Sequence, residues 1–285
     1  MKRRVVAGVA LFTAGLLAGI VFEHYHGSGA VVDWAGLRYA VLLQRVRPPG
    51  DRSEVAIDSL RGKRLMVALA FGQSNAADEG ETPGAAHPAV YEFYRGKLYA
   101  ARDPLLGAEG KGGSVWLRFA AKAVDSGAYD AVVLVPFAFG ASEIARWAPG
   151  GSLHDALLDT INRARASGLR ITHLLWHQGE ADAERTTAAA EYRQNFLAML
   201  AAIRRLGVDA PVHVAVATRC GRVRPYAPIR DAQIALRDAA SGILAGPDTD
   251  RLGFADRYDG CHFSAEGLDK AAELWWEAVR PGRGN

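Results

Sequence analysis

The chain is expected to fold as a three-layer α/β/α sandwich around a mainly parallel sheet, and three observations carry that expectation. From Arg64 onward, short apolar runs alternate with amphipathic helical stretches. The runs are continuously apolar, as strands covered on both faces are. The helical stretches between them fit the right-handed crossovers that join parallel strands. A length of 285 residues, 49% of them apolar, suits one well-buried domain of the α/β size class.

Taken in order, the chain begins with Lys2-Arg3-Arg4 and then runs from Val5 to Phe22 without a charged residue. At 1.5 Å per residue that run spans roughly 27 Å, enough to cross a bilayer's hydrocarbon core. Glu23-His24-Tyr25-His26 follows directly and no small-residue cleavage site is evident, so residues 1–26 read as a signal anchor with a cleaved signal peptide as the alternative. The basic flank places the N-terminus in the cytoplasm and the rest of the chain outside, periplasmic or extracellular. Residues 27–63, with Pro48-Pro49-Gly50, read as a juxtamembrane spacer, and 64–285 as the folded domain.

Strands are expected at Leu65–Phe71, Ala131–Phe137, Ile171–His177 and Val212–Thr218, each a short run rich in Val, Leu or Ile. Helices fit between and after them. Ser114–Ser126 is one; Ser152–Ser167, with Ser152 as its cap and Gly168 as its stop, is another. Thr187–Leu206 puts Phe196, Leu200 and Ile203 on one face, and Ser264–Val279 ends before Pro281. Between the first strand and the first helix, Ala76–Gly113 is an irregular excursion containing a hairpin at Val90–Tyr94 and Lys97–Ala101.

Ligands of open α/β sheets bind at the carboxyl ends of the strands, and there the polar residues gather. Leu65–Phe71 runs into Gly72-Gln73-Ser74-Asn75, Ile171–Trp176 into His177-Gln178-Gly179-Glu180-Ala181-Asp182, and Asp259-Gly260-Cys261-His262 opens the last helix. A serine hydroxyl attacks only when a base takes its proton and a carboxylate orients that base. The Asp-x-x-His spacing lets Asp259 and His262 face one point from a single turn. Ser74 has the alternative of merely capping a helix. Ser142 ends another strand but lacks the glycine two residues later that a nucleophile elbow needs. His177 reads as a packed strand-end histidine, and Glu180 and Asp182 suit a helix N-terminus as well as a site.

Together the three motifs resemble, in order and spacing, those of the SGNH hydrolase superfamily, and most nearly its sialate O-acetylesterase-like branch of carbohydrate acetyl-esterases. The resemblance covers about Arg64 to Val279. It implies a flavodoxin-like sheet, Ser74 as nucleophile, His262 as general base and Asp259 as its orienting carboxylate. It also implies an oxyanion hole made by the N–H of Ser74, a glycine N–H matched to Gly113 with Gly112 as the alternative, and the amide of Gln178. The superfamily's general pattern has Asn at that last position; the acetyl-esterase branch commonly has Gln in a Gln-Gly-Glu run. Glu180 then becomes possible support for the site.

Cys220 and Cys261 are the chain's two cysteines. The first closes the Val212–Arg219 strand and the second lies between Asp259 and His262, so both are expected at one sheet edge. In an oxidising compartment they would form a disulfide; otherwise they stay free thiols. The expected activity is removal of acetyl or other short acyl groups from a carbohydrate outside the cytoplasm, with Trp116, Trp147 and Trp176 as candidates to stack on the sugar or to fill the core. The same residues would serve an acyltransferase, and a non-catalytic glycan-binding module is the rival outside enzymes. No metal or organic cofactor is called for, and the net charge of +3 does not suggest nucleic acid.

Overall fold

The computed structural model describes residues 49–221 and 225–282. Its eight strands are β1 (Glu54–Val55), β2 (Leu65–Gly72), β3 (Val90–Tyr94), β4 (Lys97–Ala100), β5 (Ala131–Ala138), β6 (His173–His177), β7 (Val212–Val216) and β8 (Ile243–Asp248). They form one sheet in the order β1-β4-β3-β5-β2-β6-β7-β8. From β3 to β8 every neighbouring pair is parallel, while β4 lies antiparallel to both β3 and β1. Counting only β2, β5, β6, β7 and β8, the order is that of a flavodoxin-like sheet, second-first-third-fourth-fifth. The strand expectations hold to within two residues at each end.

Among the described residues there are six α-helices: α1 (Val115–Asp125), α2 (His154–Ala166), α3 (Glu180–Glu184), α4 (Ala189–Arg205), α5 (Ala227–Ala235) and α6 (Ala265–Val279). The alternation of side chains along β2 divides the core. Met66, Ala68 and Ala70 face α1 and α6, where Trp116, Phe119, Leu268 and Trp275 are buried with them. Phe71, from the other set, meets Trp147 and Trp176 at ring centroids of 6.2 and 4.8 Å. Trp176 in turn meets Phe196 of α4. Ser114 and Ser264 cap α1 and α6 by accepting the N–H of Leu117 and Gly267. Ser152 does not cap α2; the helix starts at His154 with Leu153 before it and no side-chain cap.

One expectation shifts. The stretch read as spacer already belongs to the domain from Arg52 on, because Glu54–Val55 pairs with Leu98–Tyr99 and Arg52 forms a buried ion pair with Glu92 at 2.5 Å. The anchor expected at Val5–Phe22 lies outside the described residues; among the described residues no helix is long and apolar enough to cross a membrane.

Candidate active site

Gly72, Ala138 and His177 are register partners, so β2, β5 and β6 end at one level. Gln73-Ser74-Asn75, Phe139-Gly140 and Gln178-Gly179-Glu180 therefore leave the sheet side by side. Gly72 has φ +138°, and a Cβ on it would fall 2.0 Å from the His177 carbonyl oxygen. Without a side chain, the end of β2 can close on β6, where Gln73 N–H donates to that carbonyl at 3.0 Å. Gly179, at φ +150°, is required in the same way, since its Cβ would meet Ala217 O at 2.2 Å.

Ser74 opens a short 3₁₀ turn, Ser74–Ala76, and is 6% exposed. The first N–H of such a turn has no partner within it. The residues on either side of Ser74 are bound to the β6 end: Gln73 Oε1 accepts the N–H groups of Gly179 at 3.2 Å and Ala181 at 3.1 Å. Asn75 Nδ2 donates to Glu180 Oε1 at 2.8 Å and to Cys261 O at 3.3 Å. Burial works to raise the Glu180 carboxyl, but His177, 3.6 Å away, and Asn75 outweigh it and bring it down to about 2. Glu180 is thus a buried carboxylate beneath the Ser74 turn.

On the loop before α6, His262 Nδ1 lies 2.6 Å from Asp259 Oδ2. Asp259 Oδ1 accepts the N–H groups of Cys261 at 2.8 Å and His262 at 2.7 Å. Partial burial pushes the Asp259 carboxyl up, and these His262 and Cys261 contacts more than reverse it, leaving it below the usual carboxylate range. With Asp259 ionised, Nδ1 carries the ring hydrogen and Nε2 is the acceptor. The loop is fixed from below. Cys261 is joined to Cys220, and its carbonyl accepts Arg257 Nη1 as well as Asn75. Arg257, itself 3% exposed, also donates to Thr249 O at 3.1 Å and lies 4.6 Å over the Phe263 ring.

Ser74, Asp259 and His262 are therefore brought to one edge, their neighbours Asn75 and Cys261 directly bonded. The expected oxyanion partners fare differently. Gly113 N–H donates to Gly80 O at 2.9 Å, and a Cβ on Gly113 would strike Thr82 O; it packs the excursion together. Gly140 lies beside the serine, with a Cβ position 3.9 Å from Ser74 Cβ. Its N–H donates to Glu109 Oε2 at 2.7 Å. Gln178 is fully buried, and its amide donates to Ser142 O at 3.0 Å and Asp182 Oδ2 at 2.5 Å. It braces the turn that follows Gly140.

The remaining candidates are structural. Ser142 is fully buried, its hydroxyl donating to Phe139 O and accepting Trp147 Nε1. Trp116, Trp147 and Trp176 are all wholly buried, so the core reading holds for them and the stacking reading does not. Among the described residues no cluster of three or more His, Cys, Asp or Glu side chains is arranged to hold a metal ion. Gly140 and Glu109 were missed in the sequence; the available cue for the first was a glycine two residues beyond the end of a strand.

Solved structures share this fold. A protein from Arabidopsis thaliana aligns at 19% identity over 76% of this chain and 99% of its own, with a TM-score of 0.60. NanS aligns at 17% identity over 75% of this chain and 96% of its own, TM-score 0.56. A carbohydrate acetylesterase from Xanthomonas citri aligns at 19% identity over 75% of this chain and 56% of its own, TM-score 0.51. A comparison with curated proteins by sequence returned no match. Fold and motifs together define a carboxylic ester hydrolase of the SGNH type. Residues 64–279 match the model of the carbohydrate esterase, sialic acid-specific acetylesterase family, and the chain belongs to that family.

Proposed function

We propose that the protein removes O-acetyl groups from a carbohydrate by a Ser74-His262-Asp259 mechanism, outside the cytoplasm. The observation that carries this reading is the Asp259–His262 contact at 2.6 Å, on a loop that Asn75 ties to the Ser74 turn. Ser74 Oγ attacks the acetyl carbonyl as its proton passes to His262 Nε2, and Asp259 holds the imidazolium that forms. Oxyanion donors in this reading are the N–H groups of Ser74 and Gly140, the ester oxygen taking the place of the Glu109 carboxylate on Gly140. His262 then protonates the departing sugar oxygen. Water, deprotonated by the same ring, attacks the acetyl-serine, and acetate leaves.

The disulfide supports the location, since such bonds persist in oxidising compartments. The basic-flanked apolar run Val5–Phe22 supports a membrane anchor for the same reason of compartment. The test is acetate release from 4-nitrophenyl acetate and from acetylated saccharides by purified protein beside Ser74→Ala. The variant is expected to lose at least about a thousandfold in turnover. Equal release by the two proteins would overturn the assignment.

A further inference from the structure

Four large apolar side chains stand exposed among the described residues: Leu197, Ile234, Phe254 and Tyr258. The first two project from the surface helices α4 and α5. The other two, Phe254 at 71% and Tyr258 at 49% exposure, stand on the segment that delivers His262. The Tyr258 ring centroid lies 6.3 Å from that of His262 at an interplanar angle of 33°. Its backbone N–H donates to His262 O at 3.0 Å, and its hydroxyl to Glu79 O at 3.3 Å, so the ring is held at both ends. Phe254 lies over Gly260, where a Cβ would fall 2.9 Å from a ring carbon. Gly260 thus leaves room for a second aromatic ring on the same loop.

Exposed aromatic side chains beside a site mark ligand contact. The mechanism says which part of the ligand. His262 protonates the leaving oxygen, so the alcohol half of the ester must reach His262 and cover the surface beside it. A pyranose ring has a C–H face that suits an aromatic ring and a rim of hydroxyls that suits acceptors. Asp259, Glu79 and Glu81 all lie close enough to Tyr258 to act on its phenol electrostatically, and carboxylates accept hydroxyl hydrogens.

Resting on the esterase reading above, we propose that Tyr258 and Phe254 form a saccharide subsite, which holds the pyranose ring of the leaving alcohol by its C–H face beside His262. The subsite replaces the three buried tryptophans as the stacking surface.

The test compares ethyl acetate, whose alcohol carries no ring, with a panel of monoacetylated pyranosides, neutral and acidic. Tyr258→Ala is expected to lower kcat/KM on the best pyranoside tenfold or more, chiefly through KM, and Phe254→Ala severalfold. The loss on ethyl acetate should be clearly smaller. Tyr258→Phe, which keeps the ring, should restore the pyranoside value to within about threefold of wild type, and Leu197→Ala on α4 should change neither substrate. Equal losses on the two substrates, an unchanged pyranoside KM in Tyr258→Ala, or a Tyr258→Phe variant as poor as Tyr258→Ala would overturn the subsite. Absence of hydrolysis of every ester would overturn the esterase reading itself, and undiminished hydrolysis by Ser74→Ala would overturn its assignment to Ser74.

Discussion

Ser74 sits at the end of the central strand, 6% exposed, in a turn whose neighbours spend their side chains on the end of β6; His262 stands on an irregular loop beside a carboxylate that is 39% exposed. The nucleophile is placed by the sheet, through register and the glycine that lets β2 meet β6. Its base is placed by cross-links: a disulfide, a buried arginine and one asparagine. Strand pairing spreads positional control over many bonds, whereas the loop depends on a few, so single substitutions there are expected to separate geometry from folding.

The largest effect that would break this comparison is chemical. His262→Ala is expected to lower kcat on 4-nitrophenyl acetate by about three to four orders of magnitude while leaving the thermal midpoint close to wild type, because its ring is partly exposed. A large fall in midpoint would show that the loop carries more of the fold than its placement suggests.

Next comes the one side chain that spans both regions. Asn75→Ala leaves Glu180 a buried carboxylate without its 2.8 Å donor and Cys261 O without one of its two. Stability should fall by about 2–4 kcal/mol in urea unfolding, and kcat by about ten- to a hundredfold. Asn75→Asp, which sets a second carboxylate against Glu180, should be worse than alanine. If kcat falls no more than stability alone explains, Asn75 is a brace and does not align the two regions.

Cutting the disulfide tests the loop alone. The bond closes a separation of 41 residues, and a crosslink of that span contributes roughly 4 kcal/mol by chain entropy. Cys220→Ser with Cys261→Ser is expected to lose a large part of that in chemical denaturation. Its kcat should drop only severalfold, because Arg257 and Asn75 still hold the Cys261 carbonyl.

The effect that is smallest at neutral pH belongs to the sheet. His173 and His213, on β6 and β7, stack with centroids 6.3 Å apart. Burial draws each imidazole down to about 4 from its ordinary 6.5, with His213 adding to the effect on His173. Between those values the unfolded chain takes up protons that the folded one refuses. The contribution is therefore whole above about pH 6.5 and is lost as the pH falls toward 4, by up to about 1.4 kcal/mol per group for each unit. His213→Leu should flatten the acid limb of stability against pH; an unaltered limb would show that the pair does not titrate on unfolding.

The two regions were also unequally legible in the sequence. The parallel core could be read because its strands are continuous apolar runs, and Ser74, Asp259 and His262 could be read because their chemistry needs those residue types at strand ends. β8 was harder: Ile243–Asp248 carries Gly246 and Pro247 and is only partly buried, as an edge strand is. Helix α5, with no strong cap, was also missed. Gly113 was matched on its Gly-Gly turn, yet nearness to Ser74 is set by register, and Ala138 aligned with Gly72 puts Gly140 there. Gln178 has the right amide, but Asp182, four residues on, and Ser142, from a distant loop, claim it.

Cys261 performs no chemistry, yet its sulfur, carbonyl oxygen and amide hydrogen are all engaged, by Cys220, by Arg257 and Asn75, and by Asp259. A residue fastened at every polar atom cannot swing, and its neighbour His262 inherits that stillness. The ordering of the base is thus completed when the chain folds and is not drawn from the energy of binding. Substrates must conform to a fixed imidazole, so adaptation to new sugars is left to the exposed rings that precede it.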